Sequence, residues 1–334
     1  MFAPGTGTGT GTGRWIGSSD RPGIHVGSQR RAMPRSDDAM IPAFAPPRQE
    51  PSLYPLRFDR TARFHELEPC GDVARASVLR WFEQARRAVE GRAFGPARPI
   101  VRPPLSAVRV ELLGRRPAGA AYVVGAGVST ISAASFTCTY GLFRDGECVA
   151  LGESVSMHSR DGMPAELPGD VRHKLAAIGG TRIPGREVER DPARLVRDAY
   201  PFGVDVRARA GELDTSRTVG NVALAGWYLD VLAELHLDVL GHVHAQPVGC
   251  TLDLLAPRSL SVGHLADVFY PGTYRVGVGV LDVDDSSVHY ACGLFDGVHC
   301  VGLAEAIGAH SVASAAGRGA VELAHRFDRL RMRR

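Results

Sequence analysis

Two short stretches carry residue types that could do chemistry. One is Glu68-Pro-Cys-Gly-Asp72, followed by Val73; the other is Asp214-Thr-Ser-Arg-Thr218, followed by Val219-Gly220-Asn221. In each, an acidic residue sits in a loop and a run with helical apolar spacing begins a few positions later. A carboxylate beside a helix start can activate water or attack an electrophilic carbon. The unpaired N–H groups of the first helical turn can meanwhile take up negative charge on an oxygen. Asp214 and Glu68 are the candidate carboxylates. Asp72 stands close to Glu68, and two neighbouring carboxylates can raise one pKa and supply a general acid. The Asn221 amide could hold a water or a carbonyl oxygen, and Thr218 could cap the helix or line the site. The same residues also have a plain reading as turn acids and helix caps. Cys70 lies where a helix start favours a thiolate, with His65 the nearest base in sequence.

The elements that must position these residues occur twice. Gly-Leu-Phe, a short Asp/Gly turn and Cys-Val recur at 141–149 and 293–301, an offset of 152. Upstream, the acidic turn and a Trp-bearing helical run recur at an offset of 146, pairing Trp81 with Trp227 and Phe82 with Tyr228. Such ordered self-similarity predicts an internal duplication, with about six extra residues in the second copy between the blocks. Each copy reads as a short strand, the acidic loop, one long helix and several short β-rich runs; in the second copy these include VGCTLDLLAP and HLADVFYP. The second helix is apolar nearly all round and is expected to be buried on most sides. One helix against antiparallel strands, twice, predicts an α+β chain.

The rest of the chain bounds the answer. Its 334 residues carry a net charge of +3, too mild for a nucleic-acid-binding face, and Lys174 is the sole lysine. Six cysteines form no CxxC pair and no zinc spacing, and Cys148 and Cys300 fall at matching positions, so buried reduced thiols are expected. No apolar run is long enough to span a membrane, and the Gly/Thr-rich start lacks a signal-peptide core. The expected organisation is a disordered tail at 1–52, with Met33 or Met40 as alternative starts, and repeats at 53–160 and 200–313. A linker with a short helix at 168–177 fills 161–199, and a basic helix or tail closes the chain at 314–334.

Asp214 to Asn221, with Gly226-Trp227 following, resembles the Asp…His-Val-Asn-Asn helix entry of acyl-carrier-protein and 4-hydroxybenzoyl-CoA-type thioesterases. Glu68, Gly71, Val73 and Arg80-Trp-Phe-Glu83 resemble the helix pattern of the single-unit members. The resemblance covers roughly 55–160 and 200–312. It implies a tandem (double) hotdog fold, each half an antiparallel sheet wrapped around one long helix, the pair equivalent to a fused dimer. It implies hydrolysis of an acyl group carried by CoA or an acyl-carrier protein, in fatty-acid or polyketide-type metabolism. Asp214, Asn221, Glu68 and Asp72 would be catalytic; Thr218, Gly220, Gly71, Trp227 and Trp81 would contact substrate. Glu83 matches a helix carboxylate that is catalytic in some members and structural in others. No cofactor, metal, nucleic acid or membrane is implied. A cytoplasmic monomer or homodimer is expected. The sequence departs from the pattern at the family His (Thr218 and Asp72) and first Asn (Gly220 and Ala74), and the second Asn is kept only as Asn221, with Arg75 in the other half. The later strand LDLLAPRSLSVGHL lacks the family's further acid/base residues. Two other readings follow from these departures: a changed reaction (acyl transfer, dehydration or cyclising release), or a non-catalytic acyl-thioester-binding protein.

Overall fold

The computed structural model describes residues 49–95, 105–160, 163–180, 191–240, 257–284, 287–309 and 325–333. The tail expected at 1–52 lies outside them up to residue 48, but a 3-10 turn at Pro51–Leu53 already has structure.

Strand β1 (Leu56–Thr61) leads through the acidic turn into helix α1 (Arg75–Phe94), and then come β2 (Leu105–Leu112), β3 (Ala121–Ile131), β4 (Ser135–Arg144) and β5 (Glu147–Met157). A two-residue pair, β6 (Ser159–Arg160) and β7 (Met163–Pro164), and helix α2 (Gly169–Ile178) follow. The second half repeats the order with β8 (Phe202–Arg207), α3 (Asn221–Leu240), β9 (Pro257–His264), β10 (Thr273–Val283), β11 (Ser287–Asp296) and β12 (His299–Ala309). All the long strands form one antiparallel sheet in the order β1-β3-β4-β5-β2-β9-β12-β11-β10-β8. Each half is therefore five strands around one helix, the α+β unit expected twice.

The halves join edge to edge through β2 and β9. Arg109 stands opposite Ser261, its own counterpart 152 positions on, while Val108 faces Val262 and Val110 faces Leu260. The pair is its own mirror in register, so a local two-fold axis runs between Arg109 and Ser261, as in an isologous dimer contact. The connection from helix to strand is 95–104 in one half and 241–256 in the other, so the six extra residues fall there, outside the described residues. This register also corrects one strand expectation and leaves another outside the described residues. The counterpart of β2 is Pro257–His264, which takes Pro at the first strand position where no ladder N–H is lost. VGCTLDLLAP lies outside the described residues except for Pro257, and of HLADVFYP only His264 is strand.

Helix α1 buries Val78, Trp81, Phe82, Ala85 and Val89 on one stripe and stops at Gly95, whose φ of 80° ends the helix. Helix α3 buries Leu224, Trp227, Tyr228, Val231, Leu232, Leu235 and Val239, in keeping with its apolar sequence. Phe82 stacks on Tyr140 at 5.1 Å between ring centroids.

The duplicated Gly-Leu-Phe motif serves the opposite face of the sheet. Tyr54 and Tyr200, 146 positions apart, each lay a ring on that face and meet Phe143 and Phe295 edge-on, at 5.6 Å in both halves. A Cβ on Gly141 would lie 2.6 Å from the Phe143 ring, and one on Gly293 would lie 2.6 Å from Phe295. Gly125 and Gly277 make the same room for Tyr54 and Tyr200. The thiols of Cys148 and Cys300 each donate to a carbonyl two residues on, at 3.5 and 3.4 Å, so the matched cysteines are structural.

The repeat extends beyond the sequence match. Helix α2 packs on α1 and β3 through Val171 and Leu175. The segment after 325 does the same for the second half: Phe327 is wholly buried at the position matching Leu175, and Val280 bonds Leu330 and Met332.

Candidate functional site

The two acidic turns are built alike. Glu68 N–H bonds the Asp72 carbonyl at 2.7 Å, and Asp214 N–H bonds Thr218 at 2.9 Å. Glu66 and Glu212 accept from the indoles of Trp81 and Trp227 at 3.1 and 3.2 Å. Both tryptophans are buried, with Trp81 beside Tyr122 and Trp227 beside Tyr274. The duplicated Trp thus anchors the acidic turn to the helix below it, and neither indole lines the cleft described next. The turn is also tied to the loop that follows β2 or β9, because Val73 N–H bonds the Arg116 carbonyl and Val219 N–H bonds that of Val268.

At the helix starts the halves differ. Glu68 reaches back over α1: its Oε1 accepts the Arg75 N–H at 3.1 Å and the Arg75 guanidinium at 2.5 Å. Arg75 also donates to the Pro257 carbonyl at 2.9 Å, tying the start of α1 to β9 of the other half. Asp72 is held separately by Arg115 at 2.9 Å, so the two carboxylates are divided between two arginines. Cys70 Sγ donates to a Glu68 oxygen at 3.9 Å. Gly71 occupies the left-handed position of this turn.

Asp214 is one methylene shorter and turns into its own loop, accepting Ser216 N–H at 2.7 Å. Gly220 precedes α3 and its carbonyl takes Leu224 N–H. The N–H groups of Asn221, Val222 and Ala223 have no helical acceptor by position, and no carboxylate caps them among the described residues.

Asn221 and Val222 border a narrow cleft at the junction of the halves, with about 20 Å³ open to a water-sized sphere. Its other walls include Phe82, Glu83 and Arg86 of α1, Tyr140 of β4 and Ser154 of β5. Glu83 binds Arg86 at 2.5 Å and Arg87 at 2.8 Å, and Arg86 also pairs with buried Glu90. Arg87 extends to Asp214 Oδ2 at 3.9 Å, linking the second half's acidic turn to the first half's helix. Burial works to raise the Glu83 pKa, but Arg86 and Arg87 outweigh it and hold the carboxyl below the usual range. Glu83 is therefore an ionised, fully engaged carboxylate, a poor base but a firm anchor for both arginines.

His264, within the stretch LDLLAPRSLSVGHL, interacts with Arg86 and Glu83 without bordering the cleft itself. On β9, His264 follows Leu260 and Val262 at strand period, sharing their helix-facing side. Its Nε2 is sealed from solvent without a hydrogen bond among the described residues. Burial, then Arg86, lower its pKa to about 4 against the pull of Glu83, so the ring is neutral near pH 7. The signal was in the alternation Leu260, Val262, His264, hidden because the stretch was read as apolar. Among the described residues no cluster of three His, Cys, Asp or Glu could hold a metal, and no helix is long and apolar enough to cross a membrane.

The fold and the junctional cleft define the class: a tandem hotdog fold with both halves in one chain. Solved structures share it. A 12:0-ACP thioesterase from Umbellularia californica aligns at a TM-score of 0.59 and 13% identity, over 76% of this chain and 97% of that one. An acyl-ACP thioesterase from Bacteroides thetaiotaomicron aligns at 0.56 and 14%, over 75% and 96%. A Lactobacillus plantarum protein described as an oleoyl thioesterase aligns at 0.62 and 11%, over 77% and 96%. No family model and no curated protein sequence matches the chain.

Proposed function

We propose that the protein hydrolyses an acyl thioester, with the acyl group carried by CoA or by an acyl-carrier protein, at the α3 end of the junctional cleft. The observation that carries this reading is the contrast between the helix starts. The N–H that opens α1, that of Arg75, is capped by Glu68, which also holds the Arg75 guanidinium over the helix start, whereas no carboxylate caps the Asn221 N–H that opens α3 among the described residues, and Asp214 turns to Ser216 instead. A thioester carbonyl oxygen received by Asn221 and Val222 N–H gains stabilisation as it becomes an oxyanion. Asp214, partly exposed and near Arg87, activates water or attacks the carbonyl carbon, and the Asn221 amide orients the reacting group. Thr218 and Gly220 shape the entry. Glu68, Asp72, Gly71, Trp81 and Trp227 support the scaffold in this assignment. The thioesterases named above share the architecture, which supports the reading at the level of fold.

The test is thiol release from a panel of acyl-CoA and acyl-carrier thioesters. Asp214→Asn should lower kcat by roughly a hundredfold or more, while Glu68→Gln stays within a few fold. Collapse in Glu68→Gln alone would move the site to the other half. No release by the folded wild type would end the hydrolysis reading and call for product mass spectrometry in search of acyl transfer or cyclised release.

A further inference from the structure

Resting on that reading, we infer that the acyl group this site takes carries an oxygen, as a hydroxyl, keto or ether group, which lies against the Tyr140–Ser154 hydroxyl pair. The two oxygens are 2.6 Å apart and both side chains are 2% exposed. Both residues border the cleft. Two hydroxyls carry two protons and their mutual bond uses one. Burial raises the Tyr140 pKa, so the phenol keeps its proton. Cys138 of the same strand shares a side-chain hydrogen bond with Tyr140; its buried thiol, with its pKa raised to about 12, is a weak sulfur partner that a ligand oxygen outcompetes. A well-placed oxygen on the ligand would take the second proton. The wall beside this pair carries the Arg86–Glu83 ion pair, with Arg86 2% exposed, and Arg109 and Glu153 from the paired strands β2 and β5.

The second half shows that the fold does not need these groups. The positions matching Glu83, Arg86, Tyr140 and Ser154 are Leu229, Leu232, Cys292 and Ala306. At these four positions the second half is apolar, and its own buried polar pair, His236 and Tyr290, falls at the positions matching Glu90 and Cys138; the hydroxyl pair and the Glu83–Arg86 pair belong to the first half alone. A buried ion pair adds little or nothing to stability over apolar side chains of similar size, so its presence at one cleft points to the ligand. A plain hydrocarbon chain offers the hydroxyl pair no acceptor. An oxygen-bearing chain offers a stronger one than sulfur, and sites built to hydrogen-bond a substrate group discriminate strongly against the analogue lacking it.

The experiment compares kcat/KM for matched CoA thioesters of equal chain length, with and without a hydroxyl or keto group on the acyl chain. It uses the wild type, Ser154→Ala, Tyr140→Phe and the double variant. Ser154→Ala copies the residue found in the other half, and Tyr140→Phe keeps the ring on Phe82, so both should fold. The wild type should favour an oxygenated acyl group by roughly tenfold or more, and the double variant should bring the ratio toward one. Equal or higher kcat/KM for the plain chains in the wild type, or a preference unchanged in the double variant, overturns the inference. Calorimetric binding of non-hydrolysable thioether analogues runs beside it. If no thioester is turned over but the oxygenated analogue binds more tightly, and less so in the double variant, hydrolysis fails and the polar pocket stands. Equal binding of both analogues overturns the pocket.

Discussion

At Arg217 the backbone takes φ 64°, the left-handed region, and the matching residue of the first half is Gly71 at 82°. The turn is the same in both halves, closed by Gly71 N–H on the Glu68 carbonyl and by Arg217 N–H on that of Asp214. The first half meets the conformation with a residue that has no Cβ; the second holds a long side chain there against its preference. Arg217→Gly should therefore raise stability by about 0.5–1 kcal/mol, the strain relieved less the entropy glycine loses on folding. Urea unfolding of the variant checks this. The duplication makes the prediction legible: residue 71 tells what the backbone at 217 demands. Sequence alone showed Gly and Arg in alignment but not the sign of φ, which depends on how the loop closes.

The strands and helices owe their pairing to volumes matched across the sheet. Gly141 and Gly293 are small because Phe143 and Phe295 fold back over them and Tyr54 and Tyr200 lie alongside. Gly141→Ala or Gly293→Ala would force a Cβ to 2.6 Å from an aromatic ring. Each should cost about 1–3 kcal/mol, the range for overpacking a tight core, with similar losses in the two halves read as lower urea midpoints. The repeated motif that first exposes the duplication is thus a packing device. Its glycines and aromatics were visible in the sequence. Their partners Tyr54 and Tyr200 were not, because they sit about 90 residues upstream and meet the motif only when the chain crosses the sheet. Helix α2 and the segment around Phe327 were likewise read as linker and tail, since their apolar residues are too few to announce a shared role.

For the molecule as a whole, two histidines tie stability to pH: His236, wholly buried, and His264, half-buried with its Nε2 sealed from solvent. Burial, then Arg75, lower His236 to about 3, and burial, then Arg86, lower His264 to about 4. Unfolded, both would titrate near 6.5. Between those values the unfolded chain binds more protons, so stability falls as pH is lowered from about 6.5 toward 4, by up to roughly 1.4 kcal/mol per unit for each histidine. Glu83 acts lower: its depressed pKa lends stability above the ordinary carboxylate value of 4.5, which is lost as pH falls through the folded value. His264→Gln should flatten the slope between pH 4 and 6.5 by one proton's share, measured by urea unfolding across that range. A slope identical to wild type would show that His264 is protonated normally in the folded chain.

Duplication, fold class and the acidic turns were decided by the sequence itself, because they rest on local signals: helical and strand periods, turn residues and a repeat at fixed offset. Those signals survive without any knowledge of which elements touch. What only the tertiary structure decided is the difference between the two sites. Glu68 and Asp214 look equivalent in the sequence, and so do Arg75 and Asn221 as helix openers. One methylene lets Glu68 reach the first N–H of α1, and Arg75 then spans to Pro257, across the seam between the halves. The charges facing Asn221 come from α1, more than 130 residues earlier, brought there by the β2–β9 pairing about a local two-fold axis. A contact made across such an axis leaves no periodic trace along the chain, which is why the asymmetry of the site appears only when the halves are joined.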